Sequence, residues 1–131
     1  KLEVWHNLKK TNEYPISYGG SNLHPTCQKF PNKASCEKYR MDAPPSGTYG
    51  VKESHSSYVN ARKKKVKDVV LFAKSYNDVR YVMRANKKDA SKIGNPLYTG
   101  GNIVLRAADM KAVRKLITKH GMSNFKVDIF R

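Results

Sequence analysis

Glu53 and His55, in the run VKESHSSY, are the nearest carboxylate and imidazole to each other in the chain. On an extended strand, residues two apart point to the same face. With Arg62 downstream they would supply a proton acceptor, a proton donor and a cation for the phosphorane, the set that metal-free RNA cleavage needs. A pair at this spacing also arises by chance, so the expectation is of no catalytic residues. If the chain is an enzyme, it reads as a metal-independent ribonuclease using Glu53, His55 and Arg62, with His24 or His120 as distant second players. His120 is better explained as a structural residue at a helix carboxyl end, where a cation is favoured. The ten acidic residues are scattered, which argues against a two-metal nuclease, and the cysteines form no convincing Cys-His nucleophile pair.

Cys27 and Cys36 are the two cysteines. They read as a reduced structural pair or as one local disulfide between Cys27 and Cys36. His24, Cys27 and Cys36, completed by His6 or His55, would make four tetrahedral zinc ligands, but the cysteine spacing does not fit the usual short knuckle. No metal and no cofactor are expected.

Charge says most about the partner. The 131 residues carry 26 Lys and Arg against 10 Asp and Glu, a formal net of +16. So large an excess points to an anionic partner, which focuses and binds through the summed field. The excess is uneven: residues 1–61 hold 8 basic and 5 acidic side chains, and residues 62–131 hold 18 and 5. The second part opens with four consecutive cations, Arg62, Lys63, Lys64 and Lys65, which a core cannot bury and which repel one another without counter-charge. Acidic membrane lipid is a poorer match, because the charge is spread along folded-looking segments rather than gathered on an amphipathic tail. No run approaches the roughly 18 apolar residues of a membrane span. The amino end has no signal-peptide pattern, although a start at Lys1 rather than Met is also what removal of a targeting segment would leave.

The elements that would carry these residues are clearest from Asn102 to Arg131. Asn102 to Arg106 reads as a short strand, and Phe125, Val127 and Ile129 alternate with polar positions as a second. Between them Ala108, Ala112, Val113, Leu116, Ile117 and His120 recur at helical spacing, with Gly121 placed to end the helix. The opposite face of that helix bears Lys111, Arg114, Lys115 and Lys119. Upstream, Val66 to Ala73 reads as a buried strand. Ser75 and Asp78 have capping-box spacing, followed by Val79, Val82 and Met83, which predicts a helix from about Tyr76 to Lys88 with Arg80, Arg84, Lys87 and Lys88 on one side. The loop from Asp89 to Gly101 is long and glycine-containing, with Lys92 to hold phosphate and Tyr98 to stack on a base, as Tyr58 also could.

Residues 1–61 hold five of the six prolines and five of the eight tyrosines, and read as an irregular arm. A first strand through Leu2, Val4 and Trp5 and one or two helical turns from Ser35 to Met41 are the regular pieces expected in it. The sequence therefore predicts one α+β domain over 1–131: a Tyr- and Pro-rich arm (1–61) covering the open face of a basic core (62–131). The core is a strand-helix-strand-helix-strand segment with a small mixed or partly parallel sheet.

The function expected is non-catalytic binding of nucleic acid, RNA favoured over DNA, as a component of a ribonucleoprotein or nucleoprotein assembly with other proteins as further partners. The phosphate contacts would be Arg62, Lys63, Lys64, Lys65, Arg80, Arg84, Lys87, Lys88, Lys92, Lys111, Arg114, Lys115 and Lys119, with little direct sequence reading. The alternatives are a small secreted or injected ribonuclease toxin and a virion-associated DNA-binding protein.

Overall fold

A computed structural model describes residues 1–18, 44–60, 63–86, 93–94 and 102–130. Eight strands and one α-helix make up the regular structure among them, an α+β arrangement dominated by strands. In chain order they are β1 (Leu2–His6), β2 (Lys9–Tyr14), β3 (Ile16–Ser17), β4 (Gly47–Val59), β5 (Lys65–Lys74), β6 (Asn77–Asn86), β7 (Ile103–Arg106), α1 (Ala107–His120) and β8 (Lys126–Ile129), with a 3-10 turn at Met122–Asn124 before β8.

Six strands form one mixed sheet in the order β3-β7-β6-β5-β4-β8. Its one parallel pair is β6 with β7, and the remaining neighbours are antiparallel. The chain leaves β7 directly into α1, which packs on one face of the sheet and returns the chain to β8 at the far edge. The buried ridge of α1 is Met110, Val113 and Ile117, while Ala112 and Leu116 are half-buried and Ala108 is exposed. Below that ridge lie Tyr49, Val51, Val70, Phe72, Met83, Ile103, Leu105, Val127 and Ile129. Tyr49 meets Phe72 and Tyr81 edge-on, at 5.4 and 5.6 Å between ring centroids, the offset geometry that aromatic quadrupoles favour. The helix ends as its sequence predicts: Gly121 adopts φ 84°, and its N–H closes on the Ile117 carbonyl at 2.8 Å.

One expectation is overturned. The segment predicted as a helix from Tyr76 to Lys88 is the strand β6 over its described length, hairpinned to β5 through Ser75 and Tyr76. Ser75 lies in the turn and Asp78 in β6, so neither caps a helix, and the Asn77 side chain accepts the Val79 N–H at 3.0 Å, the local bond that Asn offers at turns. Tyr81, Met83 and Ala85 then face the core. Val79, Tyr81 and Val82 are residues that suit a pleated surface better than a helix. The strand-helix-strand-helix-strand order is thus replaced by a β4-β5-β6 meander followed by β7, α1 and β8.

The first 61 residues are also more regular than expected where they are described. β1 and β2 form a separate hairpin, turned at Asn7 and Leu8 with φ 50° and 64°, the two left-handed residues of a type I′ turn. Leu2 and Tyr14 pack on the core from this hairpin, and the His6 ring lies 5.1 Å from that of His120. β4, the longest strand, belongs to the main sheet, between β5 and β8, rather than to an arm. The turns expected from Ser35 to Met41, and the covering role given to the middle of the arm, fall outside the described residues. No described helix is long and apolar enough to cross a membrane.

Candidate nucleic-acid interface

The outward face of α1 carries Lys111, Arg114, Lys115, Thr118 and Lys119, because these positions alternate with the buried Met110, Val113 and Ile117 around the helix. The β4-β5 hairpin rises beside it and contributes Ser56, Lys67 and Asp68. Together the eight residues line a concave pocket of about 560 Å³. Five cations converge there against one carboxylate, with two hydroxyls at hand as hydrogen-bond donors.

The carboxylate has a structural job. Arg114 donates to Asp68 Oδ1 at 3.0 Å and to Ser54 Oγ at 3.2 Å, and both members of the ion pair are only 18% exposed. Asp68 takes φ 55° within β5, a left-handed conformation that costs a non-glycine residue on the order of 1 kcal/mol and is tolerated best by Asp and Asn. The bond to Arg114 welds helix to hairpin. It also neutralises that arginine internally, leaving Lys67, Lys111, Lys115 and Lys119 as the charge available to a ligand. A larger cleft of about 1310 Å³ lies between the β1-β2 hairpin, α1 and the sheet. Its lining mixes apolar side chains with charges of both signs, so a polyanion has no reason to prefer it.

The opposite face of the sheet carries a second cluster. Glu53 and His55 point to one side as predicted, and His55 Nε2 donates to Glu53 Oε1 at 3.1 Å. Arg80, reaching across from β6, pairs with the other oxygen of Glu53. The Tyr58 ring lies 5.2 Å from that of His55, tilted by 33°. Val69 and Leu71 form an apolar floor, opposite His55 and Glu53 respectively in the ladder. Arg84 stands on the far side of Val69 from His55, and burial pushes its guanidinium pKa down.

The predicted contacts are thereby divided. Lys111, Arg114, Lys115 and Lys119 come together as one surface. Lys63 and Lys64 sit exposed in the β4-β5 turn, where Asn60 bonds both backbone N–H groups, and Lys65 opens β5. Arg80 and Arg84 stand on a strand across the sheet from α1 rather than repeating its basic face. Arg62, Lys87, Lys88, Lys92, Tyr98, His24, Cys27 and Cys36 lie outside the described residues. Among the described ones, no group of three or more His, Cys, Asp or Glu side chains could hold a metal. Lys67, Asp68, Ser56 and Thr118 are pocket residues that sequence reading missed. Lys67 and Asp68 are the two charges interrupting VKDVV, an interruption that a purely buried strand does not explain. No protein-family model matches the chain, and no curated protein matches it in sequence.

Proposed function

We propose that the protein binds nucleic acid through the phosphate backbone, RNA in preference to DNA, with the α1 face and the β4-β5 hairpin as the contact surface. The observation that carries this is the pocket in which Lys67, Lys111, Lys115 and Lys119 converge around the Arg114–Asp68 pair. Four lysines held this close repel one another, and a polyanion relieves that repulsion while releasing its own counterions. Lys63, Lys64 and Lys65 at the hairpin tip extend the track beyond the pocket. Trp5, 59% exposed on the hairpin whose His6 ring lies against that of His120 at the end of α1, offers a ring face to unpaired bases, which favours single-stranded RNA over duplex DNA. The lone carboxylate lining the pocket is engaged by Arg114, so this surface supports holding a strand, as in a nucleoprotein assembly.

The test is retardation of labelled single-stranded RNA, duplex DNA and an acidic polypeptide across a salt series. Affinity for RNA should fall steeply with salt, and Lys111→Ala with Lys115→Ala should flatten the logarithmic slope by about 0.7 for each lysine removed. Equal retention of the acidic polypeptide and RNA would refute the assignment. Stronger retention of duplex DNA would replace RNA with DNA as the ligand.

A further inference from the structure

The Glu53, His55 and Arg80 cluster owes its position to two irregularities in the sheet. In β4, Val51 pairs with Phe72 and Glu53 with Leu71, so Lys52 is an extra residue with no partner. Without that bulge Glu53 would follow Val51 to the helix side, where a carboxylate would be buried among Val70 and Phe72. In β6, Tyr81 pairs with Phe72 and Asn77 with Lys74, so Asp78, Val79 and Arg80 all stand against Ala73 alone. This second bulge lets Arg80 reach Glu53 while Tyr81 keeps its place in the core. Two separate departures from regular pairing therefore converge on one constellation of acid, base and cation. Bulges that re-aim side chains in this way concentrate beside active sites.

We propose that this cluster is a catalytic centre that cleaves RNA by transphosphorylation; the inference rests on the reading that the protein binds RNA, and adds an activity on the other face of the sheet. His55 and Glu53 are each about a third exposed, so a strand can reach them. Residues two apart on a strand are separated by about 6.6 Å along it, room for a phosphodiester to enter between side chains that touch each other when nothing is bound. Glu53 takes the proton from a ribose 2′-hydroxyl, and the 2′-oxygen forms a bond to the adjacent phosphorus. The bond from phosphorus to the 5′-oxygen breaks, and His55 in its protonated form gives its proton to that oxygen. The products are a 2′,3′-cyclic phosphate and a 5′-hydroxyl, with no water or metal consumed. Direct proton transfer through the Glu53–His55 hydrogen bond then restores the starting state. Arg80 orients Glu53 and stabilises charge on the non-bridging oxygens. The Tyr58 ring supports the imidazole and leaves its outer face for a base.

The decisive experiment incubates the full chain with single-stranded RNA, and with the same strand carrying one 2′-deoxy substitution, scoring retardation and cleavage on the same gels. Cleavage leaving a 2′,3′-cyclic phosphate, absent at the 2′-deoxy position, is expected. Glu53→Gln and His55→Ala should each lower the rate by about 10²–10⁴-fold while leaving retardation within twofold. Glu53→Gln is nearly isosteric, and a thermal melt matching the parent shows that it folds. RNA retarded but intact with the parent protein would overturn the catalytic centre and leave the binding surface standing. Cleavage undiminished in both folded variants would overturn it too. Failure to retard any RNA at low salt, with no cleavage, would remove both.

Discussion

On the helix side of the sheet, cations gather around a single carboxylate that one of them already holds; on the opposite side the Glu53 carboxylate is shared between a histidine and an arginine that also pairs with Asp78 at 3.9 Å. Asp68 and Glu53 thus do different things with similar chemistry. Asp68 joins two elements through Arg114, and both partners are largely covered. Glu53 joins neighbours within the sheet and stays open to solvent. The first arrangement suits a surface that must hold its shape while a polyanion binds. The second suits groups that exchange protons with a ligand, since they are in contact and accessible.

Exchanging Val51 and Lys52 is the harshest way to break this division. The exchange either sets a lysine against Phe72 on the helix side or makes β4 slip by one residue, which turns Glu53 and His55 inward. Urea unfolding should show a loss of at least about 3 kcal/mol, the scale of an uncompensated buried charge or an emptied core position. Replacing Lys52 by Ala keeps Val51 in place and should leave stability nearly unchanged. Arg114→Ala acts on the other face alone. It strands Asp68 and unties the hairpin from α1, with an expected cost of about 1–2 kcal/mol, less than for a fully buried pair, and weaker RNA retention. Asp68→Asn in the same background should recover part of that stability, which a double-mutant cycle would read.

The smallest effect belongs to the β1-β2 hairpin, which lends no residue to the Arg114 pocket or to the Glu53 cluster. The Glu3 carboxyl is held below its ordinary range chiefly by hydrogen bonds from Trp5 and Lys1, and that of Glu13 by Lys1 and then Lys10. Carboxyls depressed in the folded state contribute stability above their unfolded pKa and lose it as pH falls through the folded one. Acidification should therefore loosen this hairpin before the sheet. Trp5, the single tryptophan, makes its fluorescence the natural readout. A coincident loss of Trp5 signal and sheet circular dichroism would show instead that the two move together.

What could be read from residue order alone was whatever depends on neighbours in the chain. The stretch from Asn102 to Ile129 was legible because Val113, Leu116 and Ile117 repeat at helical spacing and Gly121 supplies a left-handed end. β6 was misread for a reason equally local: Arg80 and Arg84, four apart, share a side in a strand as well as in a helix, and Ser75 with Asp78 imitates a cap. The shared face of Glu53 and His55 followed from their spacing, but which face it would be did not. That depends on Lys52 finding no partner in β5, a property of register between strands. Arg80 was likewise visible as a cation and invisible as the partner of Glu53, because a bulge in β6 places it. Lys67 entered the pocket only once the β4-β5 hairpin and α1 were set side by side.

The outermost strands of the sheet are short, β3 with two residues and β8 with four, and so is the interior β7 with four, whereas β4, β5 and β6 have thirteen, ten and ten. An edge offers unpaired N–H and C=O groups to any other chain, and its hazard grows with its length. Among the described residues β8 pairs with Gly47 to Gly50 of β4 alone and β7 with Met83 to Asn86 of β6 alone, so the outer sides of β4 beyond Gly50 and of β6 before Met83 are edges as well. Crowding on a shared polyanion would bring copies of the chain close together, and the bulges at Lys52 in β4 and at Asp78 to Arg80 in β6 fall on these edges, where they bend the strand away from flat pairing with another chain.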